Sequence, residues 1–249
     1  MTLPAGYALK RLPEVESTND TAAQLLKSGE LTPRAVVTAK IQTKGRGRYG
    51  RDWVSAEGNL FATLILKPPG DSFSWAQLGF VASLAIAQAL KKNLHPDKKV
   101  QLKWPNDVLV EGNKIAGILL EIKPNPKNED ALILGFGVNC ASHPEGAAVD
   151  ATDLTEQEAE KTEPEDVLES ILIAFDGYYE LWIEKGFPAI REPWLAMAKD
   201  LKKEITVQHG NSVIKGEFVD IGSDDGALYI KQPDEEPVRI AAGDVYFGQ

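Results

Sequence analysis

Gly45-Arg46-Gly47-Arg48-Tyr49-Gly50-Arg51, followed by Asp52 and Trp53, is the stretch on which the fold turns. Glycines at 45, 47 and 50 satisfy G-x-G-x-x-G, the fingerprint of a dinucleotide-binding fold. That fold needs a helix to begin at the glycines, so that its N-terminal amides hold a pyrophosphate. Here Arg51-Asp52-Trp53-Val54-Ser55 and then Gly58-Asn59 follow, which read as loop and strand. No Rossmann unit is therefore expected. The run keeps a chemistry of its own: three glycines let the backbone wrap a ligand, and three arginines supply fixed positive charge. It reads as a mobile loop closing over an anion. A solvated charged loop is the plain alternative. An RNA-binding arginine–glycine segment is another, but there is one copy only, in an acidic chain.

The 249 residues carry a formal net charge of −10, with 43% hydrophobic and 26% charged residues, as in ordinary soluble proteins. Nucleic-acid binders normally present a basic face, so no DNA binding is expected. The single cysteine, Cys140, permits no intramolecular disulfide and points to a reducing, cytoplasmic compartment. It lies in the apolar run 132–140 and reads as a buried core residue rather than a nucleophile. Residues 1–10 lack the apolar run of a signal peptide, and no stretch of about 18 apolar residues predicts a membrane span. His95, His143 and His209 show no metal-ligand spacing.

Ser17-Thr18-Asn19-Asp20, placed before Ala22, Ala23, Leu25 and Leu26, is a helix start of the capping-box type. Strands are expected at 35–40 and 60–67. Residues 75–94 form the longest helical pattern, apolar almost all round and so buried. A hairpin is expected from 100–110 and 114–122, turning at Glu111-Gly112-Asn113, with a further strand at 132–139. The acidic segment 152–166 reads as a surface connection. An amphipathic helix follows over 167–185, with Ile171, Phe175, Tyr178 and Trp182 on one face, and another over 188–200. From about residue 202 short alternating strands at 205–208, 213–219, 227–230 and 238–241 predict a small β-barrel docked on the first unit. The turns between them are His209-Gly210-Asn211, Ser223-Asp224-Asp225-Gly226 and Pro233-Asp234. The fold class is α+β, with a catalytic domain over 1–200 and a barrel over 201–249.

Lys103-Trp104-Pro105-Asn106-Asp107 has a plain reading, a strand ending in an X-Pro turn. Lys114 would by default be a solvated hairpin lysine. It opens an apolar run, however, with Gly117 three residues on, where a ligand could approach the backbone closely. Ser17, Thr18 and Asn19 cap a helix, and the same cap sets hydroxyls and an amide where a polar ligand could meet them. Taken together, these motifs with Gln42, Gly58-Asn59-Leu60 and Gly135-Phe136-Gly137-Val138-Asn139 follow the order and spacing of the biotin protein ligases. The chain resembles that family from about residue 8 to its C-terminus.

The resemblance implies a mixed β-sheet flanked by helices, similar to class II aminoacyl-tRNA synthetases, with a Src-homology-3-like barrel behind it. Only 16 residues precede Ser17, so the implied type is the short, non-repressor one without an N-terminal DNA-binding domain. It also implies a possible homodimer, biotin, ATP and Mg²⁺ as ligands, and a biotin carboxyl carrier domain as partner. Residue by residue, Ser17, Thr18, Asn19 and Gln42 would hydrogen-bond the ureido ring, and Gly45, Arg46, Gly47, Arg48 and Gly117 would surround the tail and carboxylate. Lys114 and Arg48 would be the catalytic cations. Arg51, Trp53, Lys103, Asn106 and Asn139 would meet ATP, and Asp107 would hold Mg²⁺. Such a site must neutralise a carboxylate and a triphosphate that repel each other. A lipoate or octanoate ligase or transferase of the same fold and a non-catalytic biotin sensor remain as rivals; the sensor would need no intact lysine and arginine set.

Overall fold

The computed structural model describes residues 3–124, 130–146, 150–159, 162–209, 212–241 and 243–247. Its larger sheet contains β1 (Ala8–Val15), β2 (Ala35–Gln42), β3 (Leu60–Leu66), β4 (Val100–Lys103), β5 (Asp107–Val110), β6 (Asn113–Pro124) and β7 (Asp130–Val138). Their order is β1-β2-β3-β7-β6-β5-β4, parallel only between β1 and β2. The expected mixed sheet flanked by helices is therefore present. Helix α1 (Thr18–Lys27) covers one face, while α2 (Leu78–Lys91), α3 (Pro164–Lys185) and α4 (Pro188–Met197) accompany the other.

Side chains alternate across a pleated strand, and here both rows are apolar because both faces are covered. On β2, β3 and β7 the residues Val36, Leu64, Leu66, Leu132 and Leu134 join the large core with α2 and α3. Ala35, Val37, Ile65, Ala131 and Ile133 pack instead with Ala22 and Leu26 of α1. Following the α1-facing row of β7 beyond Ala131 and Ile133 brings Gly135 and then Gly137. The row is bulky under the helix and bare beyond its N-terminus. That step creates the floor of the site.

Behind α2 and α4 lies a five-stranded antiparallel sheet of β8 (Glu204–His209), β9 (Ser212–Ile221), β10 (Leu228–Lys231), β11 (Val238–Ile240) and β12 (Asp244–Phe247), ordered β11-β10-β9-β8-β12. Phe218, Leu228, Ile230 and Val245 belong to the same buried cluster as α2 and α3, so the small unit is fused to the large core. Trp104 Nε1 donates to Gly226 O at 2.9 Å and Arg191 Nε to Ile221 O at 2.7 Å across that junction. The expected turn at 210–211 lies outside the described residues.

Four expectations need correction. Residues 100–110 are not one strand: β4 and β5 form a hairpin of their own, joined by Trp104-Pro105-Asn106, with Trp104–Pro105 in the cis form. The longest helix is α3, because residues 72–77 adopt a 3-10 helix capped by Asp71 before α2 begins. Strands β1 and β12 were not foreseen; β1 mixes charged and apolar residues without a regular period at a sheet edge. Segment 152–166 is only partly a surface connection. Thr152, Asp153, Leu154 and Gln157 are buried, and Thr152 and Asp153 bond to the site wall as described below. The stretch 72–91 is apolar and long enough to cross a membrane, but 78% of it is buried against the rest of the chain, as a core helix.

Candidate active site

A cavity of about 400 Å³ opens on the α1 face of the large sheet. Its walls carry every site residue foreseen from the sequence except Gly45. Gly45 lies just behind: its carbonyl accepts from Trp53 N, and a Cβ there would stand 2.6 Å from Trp53 O. Its role is to let the two ends of the arginine loop close on each other. Arg46 and Asp52 form an isolated antiparallel bridge one step further out. No helix starts at the glycines, only a short turn at Arg48–Gly50 with Tyr49 in the left-handed region at φ 57°.

One end of the cavity is polar and fully organised. Ser17 is the N-cap of α1, accepting from Asp20 N at 3.4 Å. Gln42 Oε1 accepts from Thr18 N at 2.8 Å and Thr18 Oγ1 at 3.0 Å, while Gln42 Nε2 donates to Ser55 Oγ at 3.0 Å. Thr63 Oγ1 lies 2.7 Å from Asn19 Oδ1 and 2.9 Å from Thr18 Oγ1. Sequence reasoning missed Thr63, although the signal was there: it is the one polar residue in the strand Leu-Phe-Ala-Thr-Leu-Ile-Leu, fully buried. A buried hydroxyl stays in an apolar strand only when partners satisfy it.

The floor is made by the glycines of β6 and β7. Gly117 faces Gly137 across the ladder, and the Trp53 indole lies on both. A Cβ at Gly137 would stand 2.5 Å from Trp53 Nε1, and one at Gly117 2.9 Å from Trp53 Cζ3. At Gly135 an added Cβ would overlap the Asn19 side chain, with Asn19 Cγ at 2.8 Å. Gly135→Ala should therefore cost about 1–3 kcal/mol by displacing a packed side chain. It should also weaken binding at the polar end, because Asn19 loses its position. Thermal unfolding beside a ligand titration checks both; an unshifted melting temperature contradicts the packing argument.

Lys114 and Asp107 meet at the centre, Nζ 2.7 Å from Oδ1, with both side chains largely covered. Lys114 Nζ also stands 5.3 Å from the Trp53 ring centroid, within cation–π range. The backbone around Lys114 is clamped by segment 150–152: Lys114 N donates to Asp150 O and Thr152 N to Lys114 O. Asn139 Nδ2 donates to Thr152 O at 3.0 Å, and His143 Nδ1 pairs with Asp153 Oδ2 at 2.7 Å, which fixes that segment as a wall. Asn139 thus spends its amide nitrogen on the wall and keeps Oδ1 for other partners. Lys103 is buried at the end of β4, paired in register with Asp107, and Asn106 Nδ2 donates to Ile118 O at 2.7 Å. The lining contains Arg46, Arg48, Arg51, Lys103 and Lys114 against Asp52 and Asp107, a basic concavity in an acidic protein.

The three loop arginines differ. Arg48 Nη1 donates to Gly243 O of the small unit at 3.4 Å and Nη2 to Tyr49 Oη at 3.2 Å. Arg51 Nε donates to Arg48 O at 3.3 Å. Arg46, expected beside a ligand carboxylate, instead points its guanidinium at Asp20 and Glu121. Hydrogen bonding from Arg46 holds the Asp20 carboxyl below its ordinary 3.8, against partial burial. Burial pushes Glu121 up, but hydrogen bonds from Asn19 and Lys123 and the Arg46 charge bring it below the usual value. Both carboxyls are more acidic folded than unfolded, so their stabilisation is complete above the unfolded values and is lost as pH falls through the folded ones. The melting temperature should drop below about pH 4, and less steeply in Asp20→Asn/Glu121→Gln; parallel pH profiles for the two proteins would contradict this. Cys140 is pushed up to about 12 by burial, which suits the core residue expected rather than a nucleophile.

A model of the Biotin/lipoate A/B protein ligase family matches residues 12–139, and one of the Biotin protein ligase C terminal domain matches residues 201–248. The chain is 39% identical over 242 residues to a biotin–[acetyl-CoA-carboxylase] ligase of Paracoccus denitrificans, covering 95% of this chain and 99% of the relative. This chain belongs to the biotin protein ligase family. The ligase is also 30% identical to the bifunctional ligase/repressor BirA of Escherichia coli, over 91% of its own length and 70% of that protein's. Among solved structures it superposes on the biotin protein ligase of Aquifex aeolicus in complex with biotin and ATP with a TM-score of 0.81 at 29% identity, covering 97% and 98% of the two chains.

Proposed function

We propose that this ligase activates biotin with ATP as biotinyl-5′-AMP and transfers the biotinyl group to a lysine of the carrier domain of acetyl-CoA carboxylase. The observation that carries the reading is Lys114. Its ammonium is anchored 2.7 Å from Asp107, beside Gly117 of the glycine floor, in the wall of the same cavity as the polar residues and the loop arginines. Anionic reactants repel, and a fixed cation at their junction stabilises the charge that builds as they combine.

In the first step a biotin carboxylate oxygen attacks the α-phosphorus and the bond to pyrophosphate breaks. In the second the carrier lysine nitrogen attacks the acyl carbon, AMP leaves, and the amine proton passes to solvent. The protein contributes position and charge rather than covalent chemistry. Ser17, Thr18, Asn19 and Gln42 would hold the ureido ring, and Gly117 and the loop backbone would flank the tail. Lys114 and Arg48 would face the reacting carboxylate and α-phosphate, and Arg51 and Lys103 the outer phosphates. Trp53 and Asn139 would border the adenylate.

The residues present also suit a Mg²⁺ ion accompanying the phosphates. Asp107 is a largely buried carboxylate at the cavity wall whose Oδ1 pairs with Lys114, and Asn106 spends its amide nitrogen on Ile118 O. Among the described residues no group of three or more His, Cys, Asp or Glu side chains could cage a metal. Asp107, with Asn106 beside it, would be the protein's share of an ion otherwise held by phosphates and water. Such an ion would supply charge neutralisation on the phosphates. Asp107→Ala should then raise the Mg²⁺ concentration needed for half-maximal rate, and an unchanged titration contradicts that role.

An octanoyl or lipoyl tail would set hydrocarbon against Thr18, Asn19 and Gln42, which is unfavourable for buried polar atoms. Pyrophosphate release tested with biotin, lipoate and octanoate decides between the acids. Release with biotin alone supports the reading, while release with lipoate or octanoate, or binding of biotin without turnover, overturns it.

A further inference from the structure

The sequence offers three arginines to one anion-binding loop, yet the structure gives the first of them a different occupation. Arg46 Nη2 donates to Asp20 Oδ1 at 2.7 Å and to Glu121 Oε2 at 3.0 Å, and Nη1 pairs with Asp20 Oδ2. Asp20 stands in the first turn of α1, next to Asn19. Glu121 stands on β6 in the same face row as Gly117 and Leu119, and accepts from Asn19 Nδ2 at 2.8 Å. One guanidinium thus ties loop, helix and sheet together at the polar end of the cavity. Two carboxylates already satisfy its charge, and its backbone bridges Asp52 at the loop's other side.

We propose that Asp20 and Glu121 are positioning residues that clamp Arg46 and so keep the arginine loop closed over the ureido-binding end, setting biotin affinity rather than the rate of adenylation. The inference rests on reading the cavity as the biotin and ATP site. Charge-assisted fork contacts are directional as well as strong, so a clamp of two carboxylates holds the loop's entry in one orientation. Beyond the clamp the loop bears Arg48, which donates to Gly243 O of the small unit, and Arg51, which donates to Arg48 O. A loop that is closed only part of the time lowers apparent affinity by its closed fraction and leaves the chemistry of the closed state unchanged.

The test uses the full chain with Asp20→Asn, Glu121→Gln and Arg46→Ala, singly and combined. Two readouts are taken: steady-state pyrophosphate release against biotin concentration, and the rate at which trypsin cuts after Arg48 or Arg51 without ligand. Loss of one charge-assisted partner should raise the biotin KM about tenfold, with kcat within about twofold, and speed cleavage in the loop. Adding Asp20→Asn to Arg46→Ala should produce no further rise, because the contact is already gone. Additive effects, a fall in kcat at unchanged KM, or unchanged loop cleavage would each overturn the clamp. A wild-type protein that releases no pyrophosphate with biotin would instead overturn the functional reading, and the cleavage comparison would still decide the clamp.

Discussion

Lys114→Ala slows biotin-dependent pyrophosphate release by about 10²–10³-fold, the usual cost of losing one preorganised charge-stabilising donor. The ammonium is not a free surface group: it pairs with Asp107 and packs near Trp53 on the glycine floor. Because it serves charge that develops during reaction, kcat and kcat/KM fall together while biotin binding changes little. The variant also leaves the Asp107 carboxylate without its partner, which costs stability for a reason unrelated to catalysis. The double variant Lys114→Ala/Asp107→Asn separates the two effects. It should recover the melting temperature while adenylation, measured at saturating Mg²⁺ because Asp107 also serves that ion, stays at least as slow as in the single variant. Rate that returns with stability would remove Lys114 from the chemistry.

Arg48→Gly is expected to release the intermediate rather than abolish its formation. Arg48 links the loop to the small unit through Gly243 O and braces the loop internally through the Tyr49 hydroxyl, with the guanidinium 5.0 Å from the Tyr49 ring centroid. Glycine removes these contacts and adds backbone freedom where Tyr49 already occupies a left-handed conformation. Biotinyl-5′-AMP should then leave before the carrier lysine arrives, with escape accelerated about tenfold or more by loss of the contacts. Mass spectrometry of an unrelated lysine-bearing protein included in the reaction should find biotinylated bystander lysines. Labelling confined to the carrier domain would show that Arg48 does not hold the loop shut.

The sequence made the local features readable because their causes are local. Ser17 caps α1 through Asp20, four adjacent residues announce the helix, and the glycine-rich run lacks a following helix just as its next residues suggested. Short apolar runs along 60–67 and 132–139 marked strands β3 and β7, the second of which carries two glycines of the floor. What stayed hidden depends on partners far along the chain. Arg46 meets Glu121 75 residues away, and Thr63 meets Asn19 44 residues away, so neither contact leaves a periodicity or a spacing. Residues 152–154 looked like an acidic surface because their burial comes from Lys114, Asn139 and His143, which only the folded sheet delivers. Strand β1, with its charged residues at a sheet edge, could not be told from coil by hydrophobicity alone.

The most direct measurement is the intact mass of a biotin carboxyl carrier domain of acetyl-CoA carboxylase after incubation with this protein, biotin and MgATP. Fixed cations around one cavity, joining an acid to a nucleotide and then to an amine, predict the addition of a single biotinyl group that disappears when ATP is omitted. A carrier domain whose mass does not change, or that gains biotin equally well without ATP, would contradict the account.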